Sequence, residues 1–125
     1  MKFRHMFGLL SAAAMSLALT GGAFAQQTVK IGAIFPFSGN AASAGNHAKA
    51  ALEVAMDIIN NDHPELKDFP LAKGAGLPGL GGAKVEVVFA DNQGTPAAGQ
   101  NQALRLITEE KVVALTGSKK PIGSD

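Results

Sequence analysis

Residues Thr28 to Asn40 read TVKIGAIFPFSGN, and this stretch decides the fold. Val29, Ile31, Ala33, Ile34 and Phe35 form an apolar run of strand length, rich in β-branched side chains. Pro36 stops the run, and Ser38, Gly39 and Asn40 are turn formers. A buried strand ending in a turn is the reading. In an α/β chain, ligands collect beyond the carboxyl ends of parallel strands. The FPFSGN turn sits at such an end, so any binding function is expected there.

Working outward, the pattern switches from strand to helix and back twice. A helix is predicted from about Ala44 to Asn60, because Ala48, Ala51, Leu52, Ala55, Met56 and Ile59 recur at helical spacing. Lys49, Glu53, Asp57 and Asn60 are expected to face away from that stripe. Pro64 forbids its continuation. His63 to Ala83 is a long, Pro- and Gly-rich connection of the kind that is either functional or mobile. A second strand is predicted over Lys84–Ala90. The turn Asp91-Asn92-Gln93-Gly94 follows, then a helix with Thr95 as N-cap and Pro96 as first residue, running to about Glu110. Its buried stripe is expected at Ala103, Leu104 and Ile107. A third strand is expected over Val112–Thr116, with Gly117 and Ser118 at its carboxyl end. This βαβαβ order gives the fold class: α/β, with a partial parallel sheet and right-handed crossovers. Two helices cannot cover both faces and both edges of such a sheet, so the unit reads as the opening part of a larger lobe.

Composition narrows the function. The chain has 125 residues, room for one domain, and its net charge is +1, which gives no reason to expect nucleic acid as a partner. With no cysteine, a disulfide framework, a thiolate nucleophile and the common structural zinc sites are excluded. Seven Phe with no Trp or Tyr leave few aromatic platforms. At the amino terminus, Lys2 and Arg4 precede an apolar stretch from Phe7 to Ala18, and Ala23-Phe24-Ala25 supplies a small-residue site. This is the layout of a secretory signal peptide, residues 1–25, cleaved after Ala25. The apolar core is short for a membrane span, so the mature chain is expected to be exported without membrane insertion.

Several motifs point weakly elsewhere. Gly74 to Gly79 matches G-x-G-x-x-G, but the dinucleotide fingerprint follows a strand and opens a helix, whereas this one lies in a loop before a strand. Ala41-Ala42-Ser43-Ala44-Gly45 resembles a nucleophile elbow, which makes an exported serine hydrolase using Ser43 the alternative function. Ser43 lies well past Phe35, and a helix N-cap is the simpler reading. His47 and His63 lack metal-ligand spacing, so no metal site is expected. Asp62-His63 reads as a solvated helix end. Asp91, at a strand end, is expected to brace its turn. No cofactor is expected.

Two longer stretches carry a resemblance: KIGAIFPFSGNAASAGNHAKAALEVAMDIIN and GGAKVEVVFADNQGTPAAGQNQALRLITEEKVVALTGS. The first has a strand, a P-x-S-G turn and a small-residue helix ending in I-N. The second has a strand ending in D, a proline-opened helix and a strand running into G-S. In this order, behind a signal peptide, they resemble the periplasmic solute-binding proteins of ABC importers, in the branched-chain amino acid (Leu/Ile/Val) binding family with the type I fold. The resemblance covers about Gln26 to Ser118. It implies part of the amino-terminal lobe of a two-lobed, non-catalytic periplasmic receptor that hands a small solute to an ABC permease. By resemblance, Ser118 would hold a ligand's α-carboxylate or α-amino group. Ala44 falls where some members place a large side chain, so alanine would leave a roomier site. Ser38 and Gly39, beside a helix N-terminus suited to a carboxylate, complete the candidate ligand-binding set. Residues 119–125, KKPIGSD, depart from the family pattern. They are expected to be an aberrant tail of a truncated or frameshifted frame, with weak or absent binding by this chain alone.

Overall fold

The computed structural model describes residues 27–118. The expected signal peptide, its cleavage site after Ala25, and the tail 119–125 lie outside the described residues.

Three strands and two α-helices alternate: β1 (Thr28–Phe35), α1 (Ala42–Asn60), β2 (Lys84–Asp91), α2 (Pro96–Thr108) and β3 (Ala114–Gly117). The sheet is parallel throughout, in the order β2-β1-β3. β1 pairs with β2 along its whole length, from Thr28 opposite Lys84 to Phe35 opposite Asp91. β3 takes the other side over four residues, Ile31 to Ile34 opposite Ala114 to Gly117. The chain therefore winds one way from β1 to β2 and then crosses back over β1 to β3. Right-handed crossovers in opposite directions place α1 and α2 on opposite faces.

The core lies where the helices cover β1 and β2. Ala33, Val85, Ala90 and Leu106 are buried. Gly32 of β1 is small for a reason: a Cβ there would come within 2.6 Å of Leu115 and 2.9 Å of Leu106. On the α1 face, Phe37 meets Phe89 edge to face at 5.9 Å, and the Lys49 ammonium lies 5.4 Å from the Phe89 ring centre. α1 comes so close to the β1–α1 turn that a Cβ on Gly45 would run into the Pro36 carbonyl oxygen.

Several sequence expectations are corrected. α1 begins at Ala42, two residues earlier than expected, and is preceded by a 3-10 turn over Gly39–Ala41. Ser43 is consequently inside the first helical turn and is not the N-cap; Ala41 holds that position without a side-chain bond. Ala51, placed on the buried stripe from spacing, is exposed. Asn60, expected to face away, is half-buried and bonds both ways to Val85: Nδ2 donates to its carbonyl at 2.7 Å, and Oδ1 accepts from its N–H at 2.7 Å. The adjacent Lys84 N–H points inward to Gln27 O. Asn60 thus occupies the outer edge of β2 as a neighbouring strand's peptide would.

On α2 the fully buried residue is Leu106, whereas Leu104 and Ile107 are 62% and 52% exposed. Positions 103, 104 and 107 share a helical face, but so do 99, 103 and 106; the sheet lies under the second set. β2 extends to Asp91, α2 stops at Thr108, and β3 begins at Ala114 rather than Val112. The long connection is built from 3-10 turns at Pro64–Leu66, Pro70–Ala72 and Pro78–Leu80. The Gly-rich motif lies inside it, where Gly76 takes φ +84° against Gly82 and donates its N–H to Ile59 O at 2.7 Å.

Candidate solute cleft at the carboxyl ends of β1 and β3

Because β1 feeds β2 on one side and β3 arrives on the other, the strand order reverses between β1 and β3. Connections diverge at such a point and leave a crevice. An open cleft of about 780 Å³ lies there, bordered by Ile34, Pro36, Ala41, Ala44, Asn92, Thr95 and the segment Leu115–Ser118, among others. Among the described residues, no charged side chain borders it. Its polar groups are the Asn92 amide and the hydroxyls of Thr95, Thr116 and Ser118.

Two features hold the rim. The first is Asp91. Its Oδ1 accepts from Phe37 N–H at 2.8 Å and from Gln93 N–H at 2.8 Å, joining the β1–α1 turn to the β2–α2 turn. The Ser38 hydroxyl also donates to it, and this bond, the Gln93 N–H and the Phe37 N–H hold the carboxyl below its ordinary pKa. The bracing role expected for Asp91 is what the structure contains. The second is the turn after it, with Gln93 and Gly94 both left-handed at φ 52° and 70°. Asn92 Oδ1 accepts from Gly94 N–H at 2.9 Å. Thr95 caps α2 by accepting from Ala98 N–H at 3.3 Å.

The candidate ligand residues separate into two groups. Ala44 and Ser118 border the cleft. Ser118 is placed by its own backbone, whose N–H donates to Ile34 O at 3.1 Å, while Gly117 lies flush against the Ile34 carbonyl. Ser38 and Gly39 do not border the cleft; the Ser38 hydroxyl is turned to Asp91. Asn92, Thr95 and Thr116 also border the cleft and are not among the sequence candidates. Asn92 and Thr95 read as ordinary turn and cap residues, and only their place at the carboxyl end of a strand beside β1 marks them.

The alternative motifs are not assembled into sites. Ser43 is exposed on α1, not on a strand-to-helix elbow. The His63 ring bonds to Asp57, ten residues along α1 from His47, which is about 15 Å at 1.5 Å per residue. His63 is less solvated than expected. Its Nδ1 lies 2.9 Å from Glu65 Oε1, and its Nε2 lies 3.2 Å from both Asp57 O and Asp57 Oδ2. The Glu65 bond, then Asp57, raise its pKa.

Among the described residues, a parallel sheet thus carries a reversal-point cleft lined by neutral hydrogen-bonding groups. Residues 28–121 match the family model described as periplasmic binding protein, and the chain belongs to that family. It is 34% identical over 119 residues to Leu/Ile/Val-binding protein homolog 7 of Brucella melitensis, covering 92% of this chain and 24% of that protein. The same homolog from Brucella abortus is 33% identical over the same coverage. Among solved structures, it is similar to the branched-chain amino acid transporter substrate binding protein LivJ from Streptococcus pneumoniae in complex with isoleucine. That similarity has a TM-score of 0.55 and 26% identity, covering 74% of this chain and 22% of that one. It is also similar to a solute binding protein of an ABC transporter from Rhodopseudomonas palustris in complex with 3,4-dihydroxybenzoic acid. There the TM-score is 0.52 with 25% identity, covering 70% and 20% of the two chains. The chain spans about a quarter of the length of the curated relatives it matches.

Proposed function

We propose that this chain supplies the amino-terminal-lobe side of a solute-binding site for amino acids of the branched-chain type or similar small polar solutes, in the substrate-binding component of an ABC importer. The observation that carries this reading is the cleft at the carboxyl ends of β1 and β3, where Ser118 and Asn92 meet over a lining that is uncharged among the described residues. A neutral site of hydroxyls and amides suits a zwitterion or small acid, which brings its own charge. Ala44 leaves room beside Ser118 for an aliphatic or ring side chain, and Ser38 and Gly39 contribute through the turn that Asp91 holds. Membership of a periplasmic binding family supports export. Residues 1–25 would be removed after Ala25, and an ABC permease would be the downstream partner. Ser43 has no place in this function.

The test is amide chemical-shift mapping of the full chain with L-isoleucine, L-leucine, L-valine and 3,4-dihydroxybenzoate. Weak but saturable shifts clustered at Asn92, Ala44 and Thr116–Ser118, as for one lobe without its partner, are the expected result with at least one solute. No saturable shift with any of the four, up to their solubility limits, overturns the reading. Amino-terminal sequencing of the exported protein checks for Gln26 as first residue.

A further inference from the structure

The cleft contains a hydrogen-bond arrangement that fixes a proton. Asn92 Oδ1 accepts from Gly94 N–H at 2.9 Å, so the opposite amide orientation would set two donors against each other. Nδ2 must therefore face Ser118, and it donates to Ser118 Oγ at 3.2 Å. The Ser118 backbone N–H is already committed to Ile34 O. With an N–H donor on its oxygen, the Ser118 hydroxyl directs its own proton away from Asn92.

Resting on the solute-binding reading, we propose that Asn92 is a positioning residue that commits Ser118 to act as a hydrogen-bond donor in the cleft. The Ser118 proton is then offered to an acceptor on the solute, such as a carboxylate oxygen, while the second lone pair of the hydroxyl stays open to a donor. Asn92 does not touch the solute in this arrangement; it acts through the serine. An aspartate at position 92 retains the bond from Gly94 N–H but accepts from Ser118, which turns the hydroxyl proton inward and leaves a lone pair facing the solute.

Two measurements on the full chain test this. Without solute, Ser118→Ala is expected to move the Asn92 side-chain amide resonances; if they stay in place, the two residues are not coupled and the proposal is wrong. With L-isoleucine as probe, Asn92→Asp is expected to weaken binding about tenfold or more, the scale of one lost bond to a charged group. In the Ser118→Ala background the same exchange is expected to change binding by less than about threefold, because coupled residues are non-additive. A tenfold loss there would assign the effect to the new charge and overturn the proposal, as would unchanged binding by Asn92→Asp alone. A wild-type chain silent to all four solutes instead defeats the function reading itself, and this proposal falls with it.

Discussion

Asn60→Ala removes the amide that closes the outer edge of β2. Both of its bonds, to Val85 N–H and Val85 O, are 2.7 Å long, and Val85 is a buried residue. Each such bond contributes about 0.5–1.5 kcal/mol net, and a backbone group left without a partner adds to the loss. The variant is therefore expected to lose about 2–3 kcal/mol. In a domain of this size, that lowers the melting temperature by roughly 10–20 °C. The assay is urea and thermal unfolding of the full chain, followed by circular dichroism at a fixed pH. Asn60→Asp is the companion variant. It retains the acceptor for Val85 N–H but presents a second oxygen to the Val85 carbonyl, so it is expected to be destabilised as well. If Asn60→Ala unfolds within about 0.5 kcal/mol of the wild type, the ordinary scatter of surface substitutions, then the side chain is not the edge partner of β2 and the reasoning fails.

Three further outcomes are expected. Leu106→Ala should cost about 2–5 kcal/mol by opening a cavity under α2, whereas Leu104→Ala should fall within about 0.5 kcal/mol, both read from urea midpoints. Asp91 has a folded pKa below its unfolded value of about 3.9, so the stability it adds is present above that value and lost as pH falls through the folded one. The gap in unfolding midpoint between wild type and Asp91→Asn should accordingly close only at pH below the ordinary carboxylate range; a gap unchanged across that titration would contradict the brace. His63 has the opposite sign: its raised pKa adds stability fully present below the unfolded value of about 6.5 and lost as pH rises through the folded one. His63→Gln should remove this pH dependence, measured as melting temperature against pH.

Much was legible in the sequence because it depends on local chemistry. The apolar run of β1, the valines of β2 and the Thr95-Pro96 start of α2 each act over a few residues, and their alternation dictates a parallel α/β unit whatever the rest of the chain does. The carboxyl end of β1 was likewise readable as a border of the cleft, reached by Pro36, whereas Ser38 and Gly39 of the same turn stay off it. Tertiary structure decided everything that depends on which side neighbours occupy. The order β2-β1-β3 is a choice of direction for the second crossover, and only that choice puts Ser118 beside Ile34, with Asn92 reaching it across the end of β1. Helical spacing fits more than one stripe on α2, and the position of the sheet selected Leu106 over Leu104 and Ile107. A polar residue near a helix end can face water or a strand edge, and Asn60 took the edge because β2 presented outward-pointing backbone groups there. The Ser38 hydroxyl turned to Asp91 for the same reason: a carboxylate carried to the end of the adjacent strand outcompetes solvent once the register of β1 and β2 is set.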